Sequence, residues 1–397
     1  MAILKTTTTK PTPYGKAKYN PDTHTVGMIF SKNSLLIATK TPPVADKYLD
    51  KYNIKNPNVY IGLEFEVENI KLGMESTIGT TEFEKFTIAW NVIHDDSLRN
   101  NGYEFVSRPL KGEELSKAYY RLQKVFDAWK DAQKIPPIEF LNGRTSTHVH
   151  IDARRLTISQ VIMFVLVYAM CERVLYKYLS NHSQLPDNNR YHNTYCNPLL
   201  DSTLTYLITK MFDWYENGGL SKARFISCVH NWSKYSALNL SSLSKYGTIE
   251  FRQCHGTDDV LFVSKWVNLI MCIHDFVISK DVSVDKIKNT IKDIHILSSY
   301  DVFLDQVFGK HSAYLGDLED LEENILSDVS TLNQIVSGEL DIPKTENEQS
   351  NYEKILLAGG EFTKIKVPKY ILEKETKSFL GSLNIEEDDE EDEEDES

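Results

Sequence analysis

Acids occupy alternate positions in Gly62-Leu63-Glu64-Phe65-Glu66-Val67-Glu68. In an extended strand successive side chains point to opposite faces. Leu63, Phe65 and Val67 then enter a core together, and Glu64, Glu66 and Glu68 share the other face with neighbours about 7 Å apart. Carboxylates so placed repel one another unless cations or solvent lie between them. Alone, the row reads first as the wet face of a half-buried sheet and only second as a cation site. Further segments repeat the arrangement. Thr147-His148-Val149-His150-Ile151-Asp152 places His148, His150 and Asp152 on one face, and imidazole with carboxylate is a ligand set for a divalent metal. A hydrogen-bonded structural pair of histidines is the other reading of that segment. Gly247-Thr248-Ile249-Glu250-Phe251-Arg252 buries Ile249 and Phe251 and turns Glu250 and Arg252 away. Asp95-Asp96-Ser97 leads into Gly102-Tyr103-Glu104-Phe105-Val106-Ser107, with Tyr103 and Phe105 on the core side and Glu104 and Arg108 opposite. Acids and imidazoles converging with an arginine on one sheet face describe a site for several divalent metals and a phosphate.

The elements that must position these residues alternate along the chain. Strand patterns cover Tyr60 to Val67, Phe86 to Ile93, Tyr103 to Val106, Thr147 to Asp152 and Gly247 to Gln253. Helical patterns cover Glu113 to Lys134, Ile158 to Leu179, Thr203 to Trp214 and Asp258 to Ile278, the last opened by the capping run Thr257-Asp258-Asp259. Arg190-Tyr191-His192-Asn193-Thr194-Tyr195-Cys196 is a polar, aromatic loop of the kind that contacts ligands. Residues 1–55 read as an irregular arm, 56–282 as the catalytic domain and 283–342 as a helical extension. Residues 343–384 read as a linker with a short basic and apolar segment, and 385–397 as a disordered acidic tail. No GxGxxG follows a strand and no GxxxxGK[ST] occurs, so any phosphate must be held by metals and arginines rather than by a glycine-rich loop.

Composition narrows the class. The formal charge is −13, but Glu386 to Glu396 are eleven consecutive acids, and without them the balance is −2. A nearly neutral body with no basic stripe gives no footprint for nucleic acid. The tail is a solubility device or a handle for a basic protein partner. Cys171, Cys196, Cys228, Cys254 and Cys272 are odd in number and hold no CxxC, the pattern of reduced thiols in a cytoplasmic protein. The first residues lack the apolar run of a signal peptide. Val161 to Cys171 is about half the ~20 residues a membrane span needs, and is expected to be a buried helix.

Gly-Leu-Glu-Phe-Glu, Asp-x-Ser before Gly-x-Glu-x-Val-Ser-x-Pro-Leu, His-Val-His, Tyr-x-Ala-Leu-Asn-Leu and Gly-Thr-Ile-Glu-Phe-Arg-x-x-x-Gly-Thr follow in that order between about Tyr60 and Lys280. This series resembles the amidoligase family, a branch of the glutamine-synthetase-like carboxylate–amine ligases often found in phages and bacteria. The resemblance implies an α+β fold: a curved, mainly antiparallel sheet forming a partial barrel, with helices packed outside. It implies ATP and Mg²⁺ or Mn²⁺ as cofactors, a small-molecule or peptide carboxylate and an amine as substrates, and a cytoplasmic setting, the host cytoplasm if phage-encoded. Carried over residue by residue, Glu64, Glu66, Glu104 and Glu250 match metal-binding acids, and His148 the histidine near metal and phosphates, with His150 beside it. Arg252 matches the arginine facing the transferred phosphate. Asp95, Arg190, Asn193 and Asn239 are candidate substrate or nucleotide contacts. Two departures stand out: Asp96 replaces the usual glycine after the first Asp of Asp-x-Ser, and Gly143-Arg144-Thr145-Ser146-Thr147 is more polar than the usual lead-in to the histidines. The strands alone also allow a metal-dependent hydrolase, and the arm and tail leave room for a catalytically silent phage structural protein on the same fold.

Overall fold

The computed structural model describes residues 19–30, 39–69, 74–95, 98, 102–133, 144–183, 190–200 and 204–340, with the backbone alone at Met74, Gln133 and His192. The Asp96-Ser97 pair, Gly143, most of the arm, the linker from Pro343 and the acidic tail lie outside these residues.

Strands β1 (Ile61–Val67), β2 (Trp90–His94), β3 (Tyr103–Ser107), β4 (Ser146–Asp152), β5 (Leu238–Asn239) and β6 (Thr248–His255) build one open sheet in the order β2-β3-β1-β4-β6-β5. Every neighbouring pair is antiparallel. The helices are α1 (Val26–Ile29), α2 (Met74–Ile78), α3 (Thr80–Thr87), α4 (Glu113–Gln133), α5 (Ile158–Asn181) and α6 (Leu204–Glu216). They continue with α7 (Lys222–His230), α8 (Ser242–Tyr246), α9 (Val260–Val277), α10 (Val284–Asp293), α11 (Leu297–Phe308) and α12 (Glu322–Ser337). The fold is α+β, with an antiparallel sheet and packed helices, as the sequence led one to expect.

Alternation produces the layering. Along β1 the odd residues are buried and Gly62, Glu64 and Glu66 are only half covered. Leu115, Ala118, Leu122, Val125, Phe126 and Trp129 recur at helical spacing and are all buried, giving α4 one apolar stripe. That stripe meets the apolar sheet face: Phe126 packs on Phe65 and Phe105, and Trp129 on Phe105. Beside it α5 lays Phe164 and Tyr168 on Phe251. Helix α5 is apolar almost all round because it is covered all round, by the sheet, α9, α10 and α12. Both α5 and α9 are long and apolar enough to cross a membrane, yet most of each is buried within the protein. They are its core helices. Thr157 and Gln160 form a capping box at the start of α5. Asp259 caps α9 by accepting from the Phe262 amide, where the acidic cap was expected.

One expected strand is misplaced. Phe86 and Thr87 end α3, and β2 begins only at Trp90. Phe86 stacks on Trp90 at 6.0 Å, and Lys85 pairs with Glu82 one helical turn back. A helical turn thus precedes the strand in a run whose aromatics suit both.

Candidate metal and phosphate site

Pairing brings the polar faces of five strands together. Glu64 sits opposite His148 and Gly62 opposite His150 across β1 and β4. His150 sits opposite Glu250 across β4 and β6, and Asn239 opposite Glu250 across β5 and β6. On the other side of β1, Glu66 is directly opposite Glu104, a like-charged pair that opposes sheet formation unless a cation or a proton intervenes. Gly62 makes room for this packing, since a Cβ there would lie 3.3 Å from the His150 Cβ.

Each ligand candidate is held by named atoms. His148 Nδ1 is 3.0 Å from Glu64 Oε2 and its Nε2 is 2.7 Å from Ser146 Oγ. The Ser146 amide and hydroxyl both donate to Glu66 Oε2, at 2.8 and 2.6 Å. His150 Nδ1 meets Thr248 Oγ1 at 2.9 Å, which aims Nε2 at Glu64 Oε1, 3.3 Å away. That contact is close enough to attract but is not aligned as a hydrogen bond, so the buried Nε2 has no hydrogen-bond partner among the described residues. Glu250 is gripped from two sides: Asn239 Nδ2 donates to Oε2 at 2.7 Å and Arg252 to Oε1 at 2.5 Å.

The rest of the expected residues fall as follows. Asp95 is half-buried after β2 and close enough for its charge to act on Glu104. Arg190 is buried, and its guanidinium donates to the carbonyls of Thr145 and Arg252, strapping the loop to the start of β4 and to β6. Asn193 accepts from the Tyr195 amide in a local turn. Asp152 forks onto Arg154. Ser146, Thr248 and Tyr246 were not singled out in the sequence. The first two share the parity of His148 and Glu250, and that parity is the signal that finds them.

Electrostatics separates the carboxyls. Burial pushes Glu104 up to about 8, helped by the charges of Glu64, Glu66 and Asp95. Burial would raise Glu64 too, but the adjoining His148 and His150 outweigh it and hold that carboxyl far below the usual range. Glu250 is likewise lowered against its burial, by His150, Arg252 and His148. Burial would lower His150, but the contact with Glu64 and the charges of Glu250 and Glu64 raise it. The cluster is therefore over-supplied with negative charge on the Glu104 side, and Glu104 meets that excess by keeping a proton.

Ligand atoms of Glu64, His150 and Glu250, and of Glu64, Glu104 and His148, lie within 4.8 Å of one another in each set. Oxygen-rich sets with one imidazole each suit Mg²⁺ and, with the nitrogen, still more Mn²⁺. The proton on Glu104 and the unpartnered Nε2 of His150 are what a cation would replace and engage. The donor set fits.

Two expected results follow. The folded, metal-free protein keeps a proton on Glu104 that the unfolded chain, with a normal carboxyl of 4.5, gives up. This contribution to stability is full below the unfolded value and is lost as pH rises through about 8. Metal uptake must release that proton, so Mn²⁺ affinity should climb with pH and level off above about 8; titration calorimetry in two buffers of different ionisation enthalpy counts the protons. Ser146→Ala removes the hydroxyl shared by Glu66 and His148. It should lower Mn²⁺ affinity roughly tenfold to a hundredfold, as loss of a residue that orients metal ligands commonly does, with the circular-dichroism spectrum unchanged.

No curated protein matches the chain. The model of one family, described as "Putative amidoligase enzyme", matches residues 57–274, which include every strand of the sheet and every residue of the cluster. That span is more than half of the sequence, and the chain belongs to this amidoligase family.

Proposed function

We propose that the protein joins a carboxylate to an amine using ATP, through an acyl phosphate, with ADP and phosphate as products. One observation carries the reading: Glu64, His148, His150, Glu250 and Arg252 meet on one face, each within 4 Å of another member. Anionic ligands for cations thus stand beside a cation for a phosphoryl group.

A carboxylate is a poor acyl donor because it is anionic and has no leaving group. Its oxygen attacks the γ-phosphorus and ADP departs. The amine nitrogen then attacks the acyl carbon, and phosphate departs carrying the carboxylate oxygen. Mg²⁺ or Mn²⁺ held by Glu64, Glu66, Glu104 and Glu250 with His148 and His150 would supply the positive charge that lets two anions approach. Arg252 neutralises charge on the transferred group, and Asn239 and Arg252 together keep Glu250 in place. Thr248 fixes which nitrogen of His150 faces the cluster. Asp95, whose charge reaches Glu104, would take the proton that the amine gives up.

The test is ADP release with Mg²⁺ and a panel of small-molecule and peptide acids and amines. Turnover should need both partners and should fall in Glu66→Gln. Amide hydrolysis without ATP would instead mark a metal-dependent hydrolase.

A further inference from the structure

Tyr246 is an exposed aromatic residue over the cluster that the chemistry above does not use. It ends α8, and Gly247, with a left-handed φ of 71°, turns the chain directly into β6. This turn brings the Tyr246 ring to the His150 imidazole at 5.9 Å and 89°. The residue is still 59% exposed, although the histidine it touches is buried. An open aromatic surface beside a buried ligand set is a wall that something planar can cover.

Direction along β6 says which ligand. Thr248, Glu250 and Arg252 follow one another on the face that Tyr246 overhangs, at about 3.3 Å per residue. Arg252, at the far end, faces the phosphoryl group that is transferred. The opposite end of the same nucleotide must then lie toward Thr248 and Tyr246. Near Arg252 the chain carries a different aromatic pair, Tyr195 and Tyr235, 5.6 Å apart. Their loop is joined to β6 through the hydrogen bond from the Arg252 amide to Ala237, which puts the pair at the Arg252 end of the strand rather than the Tyr246 end.

We infer that Tyr246 is the binding residue for the base of a purine nucleoside triphosphate, which lies along β6 with its phosphates between His150, Glu250 and Arg252. The inference rests on the ATP reading above. Stacking on an aromatic side chain is sequence-tolerant and strong enough to matter for affinity.

The experiment compares ATP with inorganic tripolyphosphate, which has no base, by calorimetric titration of the full chain in Mn²⁺. Wild type should bind ATP more tightly. Tyr246→Ala should lose about tenfold or more of its ATP affinity with tripolyphosphate binding and Mn²⁺ binding unchanged. Tyr246→Phe should keep both, and Tyr195→Ala should leave ATP binding intact. Equal ATP affinity in wild type and Tyr246→Ala overturns the assignment, as does a wild type that binds tripolyphosphate as tightly as ATP. A wild type that binds Mn²⁺ but neither phosphate compound overturns the ATP reading and this inference with it.

Discussion

Glu64→Gln should leave a folded protein with almost no activity. Glu64 belongs to both candidate ligand sets and, among the described residues, is the one carboxylate within 3.5 Å of both histidines, at 3.0 Å from His148 Nδ1 and 3.3 Å from His150 Nε2. Glutamine keeps the shape and removes the charge. Turnover should fall by roughly a thousandfold or more, about 4 kcal/mol of barrier, and Mn²⁺ affinity should fall with it. A second consequence tests the electrostatics separately. After burial, the Glu64 charge is the first of those that hold Glu104 up at about 8. In Glu64→Gln the Glu104 carboxyl should titrate lower, and the pH dependence of metal-free stability should flatten between about 4.5 and about 8. Thermal melts across that range read the effect without any substrate. Unchanged Mn²⁺ affinity would remove Glu64 from the ligands.

Arg252→Ala should separate binding from chemistry. An arginine that compensates charge on a transferred phosphoryl group is worth on the order of 10³-fold or more in rate. Mn²⁺ affinity should fall by only about tenfold to a hundredfold, less than the rate, since Arg252 holds the ligand Glu250 without being a ligand itself. Stability should also fall, because Glu250 is left buried without its cation. Removing one partner of a buried pair costs about 3–5 kcal/mol. The low end applies here, since Arg252 keeps 20% of its side chain in solvent and Asn239 still holds the other oxygen of Glu250. Arg252→Lys restores a charge but not the planar fork. It should recover most of the stability and little of the rate, measured by denaturant unfolding and by single-turnover ADP formation. A lysine variant that recovered both would reduce Arg252 to a counter-ion for Glu250.

Much of this site was legible in the sequence because strands carry a period of two. Alternation in β1, β3, β4 and β6 is enough to sort Glu64, Glu66, Glu104, His148, His150, Glu250 and Arg252 onto one face. Alternation does not give register. That Glu66 faces Glu104, or that His150 faces Glu250, depends on strand pairing between residues far apart in sequence. The β4–β6 pair also shifts register between Thr147 and Val149, a bulge that no residue type announces. Arg190 shows the limit of reading by composition. An arginine in a polar aromatic loop fits a ligand contact, yet here it straps two backbone carbonyls, and nothing in its neighbours distinguishes the two uses. Asn193 likewise serves its own turn. Strand β5 is two residues long, too short for any periodicity, although it delivers Asn239 to Glu250. Tyr246 is hidden from pattern reading for a different reason: its contact with His150 is made by the turn at Gly247 and not by a periodicity in either segment.

The most direct test of acyl-phosphate ligation follows an oxygen atom. With a carboxylate substrate labelled in both oxygens with ¹⁸O, one labelled oxygen should pass into the released phosphate for each amide formed, read by mass spectrometry. Phosphate that carries only unlabelled oxygen while amide accumulates would contradict activation of the carboxylate by ATP at the Glu64–Glu250–Arg252 face.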